Sequence, residues 1–234
     1  MALSFDDFTL CAATADLTDE PDARADADAV EYRLDLAAAS GADPLAELDA
    51  YDGDLPLLVT NRVDWEGGEA DDDAARLDAL ETAVEHDAVE AVDLELRAFL
   101  GEGDHEPERV AEHARANDAS VVVSVHDFEG TPLRQDMRGL LGNALEYGDV
   151  GKLAVTAADR TDALDLLTVT HEYALEDEPV ATMAMGEAGS HTRAVAPVYG
   201  SKIGYAPVSP EEATAPGQYD LATLRSLVEE LRGE

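Results

Sequence analysis

Eight short apolar or β-branched runs recur along the chain, at residues 8–14, 29–36, 56–63, 88–96, 120–128, 149–157, 179–185 and 194–200. Most are continuously apolar rather than alternating, which is the pattern of strands buried on both faces. Between most of them the apolar period changes from two to about 3.6 residues. Residues 70–86 carry Leu77, Leu80 and Val84 on one face, and 131–147 carry Met137, Leu140, Leu141 and Leu145. Residues 160–174 carry Leu164, Leu166, Leu167 and Val169, and 220–231 carry Leu221, Leu224, Leu227 and Leu231. Residues 17–28 and 44–50 read as shorter helices. Thr131-Pro132 has the form of an N-cap followed by proline at the first helical position. Strand and helix alternating about eight times predict an α/β fold, a (β/α)8 TIM barrel. An open doubly wound sheet is the second choice. It is weakened because no Gly-x-Gly-x-x-Gly follows the first strand. No linker or composition break divides residues 1–234, so one barrel domain is expected to span the chain.

Charge changes the picture more than length does. The chain has 53 Asp plus Glu against 15 Lys plus Arg, a formal net charge of -38. Its hydrophobic fraction is 45%, which is ordinary for a packed core and excludes a disordered acidic tail. A folded chain so charged repels itself at low salt, and at 1 M salt the screening length falls to ~3 Å. The balance therefore points to a cytoplasm at molar salt, that of a halophile and most simply an archaeon. It argues against nucleic acid or an anionic membrane as partner. Asp71-Asp72-Asp73 reads as solvated surface rather than a metal site, because adjacent carboxylates do not make a coordination geometry. Cys11 is the lone cysteine and sits in an apolar run, as a small buried hydrophobe would. His113 and His171 lack paired metal-ligand spacing and read as surface residues. No segment approaches about 18 consecutive apolar residues, and no signal-peptide pattern opens the chain, so a soluble cytoplasmic protein is expected.

One consequence of the charge is measurable. The melting temperature is expected to rise between ~0.1 M and ~3 M potassium chloride, as screening goes from weak to nearly complete. A melting temperature independent of salt contradicts the halophile reading and leaves the chemistry below untouched.

Against this acidity Lys152 stands out, inside the apolar run Gly151-Lys152-Leu153-Ala154-Val155. A lysine is costly to bury, and a desolvated one loses its proton more easily and becomes an amine nucleophile. It could equally snorkel from a strand end. In a barrel the strand carboxyl ends form the active face. Those ends carry Glu31, Arg33 and Asp35; Asn61 and Arg62, followed by Trp65-Glu66-Gly67-Gly68; Asp93 and Glu95; Ser124 and His126; Lys152; and Met183 and Met185. Ser190, Arg193 and the stretch Thr214-Ala215-Pro216-Gly217-Gln218 follow. Singly, each has a plain structural reading: Glu31 with Arg33, or Asp93 with a neighbour, as a buried ion pair; the methionines as core; His126 as a hydrogen-bonded core histidine. It is their succession at consecutive strand ends that points to catalysis.

The segments Glu31-Tyr32-Arg33-Leu34-Asp35, Thr60-Asn61-Arg62 with Glu66-Gly67-Gly68, Ser124-Val125-His126-Asp127-Phe128 with Thr131-Pro132, Gly151-Lys152, Met185-Gly186 with Arg193, and Ala215-Pro216-Gly217-Gln218 together resemble the type I 3-dehydroquinate dehydratases. They run in the family's order over residues 31–218. The resemblance implies a barrel lyase that converts 3-dehydroquinate to 3-dehydroshikimate and water through a lysine imine, in the shikimate pathway of aromatic amino-acid biosynthesis. It implies Lys152 as the imine lysine, His126 as general acid and base, and Glu66 as the carboxylate that orients the histidine. Glu31, Arg33 and Arg62 would line the substrate's hydroxyl side, with Tyr32 also counted among the substrate-binding residues. Met183 and Met185 would wall the imine, and Arg193, Thr214 and Gln218 would clamp the substrate's far end. It further implies a homodimer and no metal or organic cofactor. Thr214 stands where the family usually has serine, Thr192 stands where serine commonly precedes the arginine, and residues 202–213 run slightly long. A class I aldolase shares the barrel lysine, and a non-catalytic barrel could bind a small carboxylate. The His126 segment and the Arg193/Gln218 clamp favour the dehydratase over the first, and intact Lys152, His126 and Glu66 over the second.

Overall fold

The computed structural model describes residues 3–102, 106–208 and 218–233. Eight strands form one parallel sheet: β1 (Thr9–Thr14), β2 (Ala29–Arg33), β3 (Leu57–Thr60), β4 (Val89–Glu95), β5 (Ser120–Asp127), β6 (Val150–Thr156), β7 (Val180–Met185) and β8 (Ile203–Pro207). The strand order is β7-β6-β5-β4-β3-β2-β1-β8, so the sheet curls until β8 lies beside β1 and comes round to β7. The helices are α1 (Glu20–Ala23), α2 (Leu34–Ala39), α3 (Pro44–Asp49), α4 (Asp73–Ala83), α5 (Leu96–Phe99), α6 (Pro107–Ala116), α7 (Arg134–Tyr147), α8 (Arg160–Leu175), α9 (Thr192–Val195) and α10 (Leu221–Arg232). This is the (β/α)8 barrel that the alternation predicts. Among the described residues no helix is long and apolar enough to cross a membrane.

Side-chain alternation along the strands produces two cores. Outward residues such as Leu10, Val30, Leu57, Val92, Val123 and Val155 pack beneath the helices. Inward residues such as Cys11, Leu58, Ala91, Val122, Val150 and Ala181 fill the barrel's floor. Small side chains there fit a chain poor in aromatics. The inward positions nearer the carboxyl ends are polar instead, and so the hydrophobic layer supports a charged one.

Several expected elements fall elsewhere. Residues 194–200, expected as the eighth strand, are helical: α9 runs into a 3-10 turn at Ala196–Tyr199. Pro197 cannot donate to a ladder, and Gly200 ends the turn at φ +103°. A short apolar run does not distinguish a strand from a buried helix by periodicity alone, and the eighth strand is Ile203–Pro207. The second and fourth runs leave the sheet early, at Arg33 and Glu95, and turn directly into α2 and α5. Thr131 does not cap α7, which begins at Arg134; its hydroxyl donates to Thr156 O instead, at 2.9 Å. Helix α6 has little apolar signal in the sequence, because its buried face is only Pro107, Val110, Ala111 and Ala114 amid charged neighbours. Within the acidic run, Asp72 caps α4 by accepting from Ala75 N–H at 3.0 Å, and Asp73 pairs with Arg76 at 2.7 Å.

Candidate active site

Three strands supply the centre of the charged layer, together with Arg62 just beyond the end of β3. The register aligns Glu95 of β4 with Ser124 of β5, and Ser124 with Lys152 of β6. All three point inward, and so does Asp93, two residues before Glu95. Lys152 is only 4% exposed and its Nζ donates to Asp93 Oδ2 at 2.8 Å. Asp93 Oδ1 accepts from Arg62 Nη2 at 2.6 Å and from Ser124 Oγ at 2.6 Å. Arg62 and Lys152 hold the Asp93 carboxyl far below the usual carboxylate range against the upward push of burial. Arg62 Nη1 also donates to Glu95 Oε1 at 2.8 Å and to Ser124 Oγ at 2.9 Å. Glu95 Oε2 takes a further bond from Arg76 of α4 at 2.7 Å. Each charge of this cluster therefore has a partner of opposite sign, the condition for keeping ions in a low-dielectric interior.

Of the two readings its sequence context leaves open, the structure shows Lys152 buried rather than snorkelling to water, but not isolated. Besides Asp93, the ring of Tyr205 on β8 lies 4.2 Å from Nζ, within cation–π range. The Tyr205 hydroxyl is buried without a partner among the described residues, and burial pushes it well above its usual range. Met183 and Met185, inward on β7, pack in or against the same inner cluster as Tyr205. Lys202 lies outside this layer: its ammonium donates to Asp6 O near the amino ends of the strands.

His126 ends the inward row of β5, and its Nδ1 lies 3.1 Å from Glu66 Oε2. Glu66 closes a 3-10 turn, Asp64–Glu66, that stops at Gly67 with φ +79°. Glycine suits this left-handed φ, and a Cβ there would also have to displace the Phe128 ring, 2.5 Å away. Phe128 in turn stacks on the His126 ring, with centroids 6.1 Å apart and planes at 14°. Burial is the largest influence on Glu66 and raises it to about 8; Arg62 opposes this, and Glu95 and Asp93 reinforce it. Burial, Arg62 and Lys152 push His126 well below the usual imidazole range. Both shifts favour an uncharged pair that shares one proton.

The remaining expected residues separate into two groups. Glu31 points inward and its Oε1 accepts from Thr60 Oγ1 at 2.9 Å. Arg33 forms a bidentate pair with Asp35, at 2.8 and 2.6 Å. Asp35 shares no strand face with Glu31 and Arg33, because it already belongs to α2. Tyr32, expected among the substrate-binding residues, faces away from this layer. It alternates with Glu31 and Arg33, points outward into the helix-side core, and donates to Glu47 Oε2 at 2.7 Å. Arg193 is buried in α9. Its Nε has no partner among the described residues, and it lines a cavity of about 10 Å³ with Met183, Ser201 and Tyr205. Gln218, partly buried, precedes α10. Thr214 lies outside the described residues. The sequence pattern alone gives Asp93 a plain ion-pair reading, gives Ser124 no role and leaves Tyr205 outside the expected strands. Inward register with Lys152 was the available signal for the first two.

Eight parallel strands with a paired, buried set of ions at their carboxyl ends define a (β/α)8 barrel enzyme. The family model for type I 3-dehydroquinase matches residues 9–233. Over 232 residues the chain is 62% identical to 3-dehydroquinate dehydratase of Haloarcula marismortui, covering 99% of this chain and 100% of that one. It is 53% identical to the enzyme of the same name from Halobacterium salinarum, covering 98% and 100%. Among solved structures, the 3-dehydroquinate dehydratase of Geobacillus kaustophilus aligns with a TM-score of 0.85 at 28% identity, covering 97% of this chain and 92% of that one. The chain belongs to the type I 3-dehydroquinase family. It is a lyase that dehydrates 3-dehydroquinate to 3-dehydroshikimate through a lysine imine, a step of the shikimate pathway.

Proposed function

We propose that Lys152 carries the imine, with His126 as the proton-transfer group and Glu66 as its orienting partner. The observation that carries this reading is the Lys152–Asp93 pair at 2.8 Å, buried at the strand ends beside the Glu66–His126 pair. The substrate's ketone is attacked by the Lys152 amine, and water leaves as the iminium forms. The iminium accepts the electron pair when His126 removes the adjacent proton. The enamine then expels the hydroxyl group, which leaves as water with the proton carried by His126. Hydrolysis of the product imine frees Lys152. A structure of the type I enzyme from Clostridium difficile, described with covalently modified comenic acid, is in keeping with a covalent step.

Asp93 holds Lys152 in place and balances its charge, Met183, Met185 and Tyr205 provide the apolar wall, and Glu31, Arg33 and Arg62 complete the polar side. Arg193 is the carboxylate anchor, because its planar guanidinium suits a bidentate bond and its Nε stands free of described partners. Thr214 and Gln218 complete the clamp in this reading. The reading also takes the enzyme to be a cytoplasmic homodimer, as the family resemblance implies. Incubation with 3-dehydroquinate should produce the conjugated enone, followed by its ultraviolet absorbance. No enone, together with cleavage of a sugar phosphate, would favour an aldolase.

The pair's shared proton sets a pH dependence. His126 can act as base only when Glu66 is ionised and accepts from Nδ1–H, leaving Nε2 free. kcat/KM should therefore fall on the acid side with an apparent midpoint near the value of about 8 held by Glu66, a property of the pair. Glu66→Gln removes the ionisable partner and should move this limb to lower pH; an unmoved limb contradicts the assignment. Linkage has a fixed sign here. Glu66 binds its proton more tightly when folded, so its contribution to stability is full below its ordinary 4.5 and is lost as pH rises through about 8.

A further inference from the structure

The edge of β7 that faces β8 carries no strand ladder among the described residues, since β7 pairs with β6 and β8 with β1. Its backbone donors still require acceptors, because a buried bare N–H is as unfavourable as a lost hydrogen bond. Two side-chain hydroxyls replace the ladder. Ser201 Oγ accepts from Thr182 N–H at 3.0 Å, and Thr192 Oγ1 accepts from Ala184 N–H at 2.8 Å. The Thr192 hydroxyl also donates to Gly189 O at 2.7 Å, so its proton and a lone pair are both committed. Thr192 is fully buried, and its β-branch restricts the hydroxyl's direction.

This bridge is built closely. A Cβ at Gly189 would lie 2.6 Å from Ala184 Cβ and 2.8 Å from Ala184 O, so only glycine lets the loop approach β7 this far. Arg193 follows Thr192 directly, within a helix of four residues. One turn has little stability of its own, and its position depends on what ties it down. Arg193 has no ion pair among the described residues to fix its head group, and burial pushes its guanidinium below the usual arginine range.

We infer that Thr192 is a positioning residue for substrate capture: its hydroxyl pins α9 to the open edge of β7 and so fixes where the Arg193 guanidinium meets the substrate's carboxylate. The inference rests on the reading of Arg193 as carboxylate anchor. A bidentate contact depends on the guanidinium plane, so a small displacement of α9 reduces binding more than it reduces the chemistry at Lys152.

Steady-state kinetics of the full chain with 3-dehydroquinate test it. Thr192→Val should raise KM on the order of tenfold, the scale of one charge-assisted hydrogen bond, with kcat within about threefold of the parent. Thr192→Ser keeps the hydroxyl and should restore KM to within about twofold. Arg193→Ala should raise KM at least about tenfold, and adding Thr192→Val to it should raise KM no further. If the valine variant does not fold, Thr192→Ala carries the same expectations. A parent-like KM in Thr192→Val, a loss confined to kcat, failure of serine to rescue, or effects that multiply with Arg193→Ala would overturn the inference while leaving the anchor intact. A parent-like KM in Arg193→Ala would overturn the anchor reading, and the inference with it.

Discussion

Lys152→Ala should stay folded and lose turnover by about 10⁶-fold or more, the low end of whole enzymatic rate accelerations. The fold should survive because Asp93 keeps two of its partners, Arg62 Nη2 and Ser124 Oγ, both at 2.6 Å. Removing one member of a buried ion pair typically destabilises by about 3–5 kcal/mol when the other is left bare. Here the remaining bonds should hold the loss below that range. Turnover vanishes because a side chain without an amine cannot form the iminium that accepts the carbanion's electrons. Lys202 cannot substitute, since it lies at the amino ends of the strands, bonded to Asp6 O. The check is an assay of 3-dehydroquinate loss beside a thermal melt. A folded variant that turns over within roughly tenfold of the parent would exclude Lys152 as the nucleophile.

His126→Ala should reduce kcat by about 10²–10⁴-fold, the usual contribution of a general acid–base group. The imine should still form, because the covalent bond belongs to Lys152 and the Asp93 contacts are unchanged by this substitution. Mass spectrometry after borohydride reduction with substrate should show an adduct of undiminished yield in a variant that scarcely turns over. Near-parental rates across neutral pH would remove His126 from the mechanism. Loss of the adduct as well would instead give His126 a role in imine formation.

Much of the site was legible because strand alternation is a strict rule. Once residues 120–128 and 149–157 were placed in strands, Ser124, His126 and Lys152 could be placed on one wall of the barrel. The same rule, applied to the second strand, sends Tyr32 outward, and counting it with Glu31 and Arg33 neglected their opposite faces. Asp35 was misplaced for a different reason: the strand stops at Arg33, and local composition does not show that α2 begins there. Tyr205 is hidden in the sequence because residues 194–200 form an equally apolar run ahead of the true eighth strand, with only Pro197 to argue against a ladder there. Asp93 was identified correctly as part of an ion pair, but its partner is the reactive lysine, a long-range fact that no local pattern records. Thr192 was visible only as a departure from a motif. Its bond to Ala184 depends on the open seam between β7 and β8, which exists only in the closed barrel.

The central claim is that Lys152 forms a covalent bond to the substrate. The chain should therefore be reduced with borohydride in the presence of 3-dehydroquinate, digested, and sequenced by mass spectrometry. A single reduced adduct on Lys152, absent without substrate and absent from Lys152→Ala, is the expected result. An adduct on another residue, or full turnover with no adduct formed under reduction, would contradict the account.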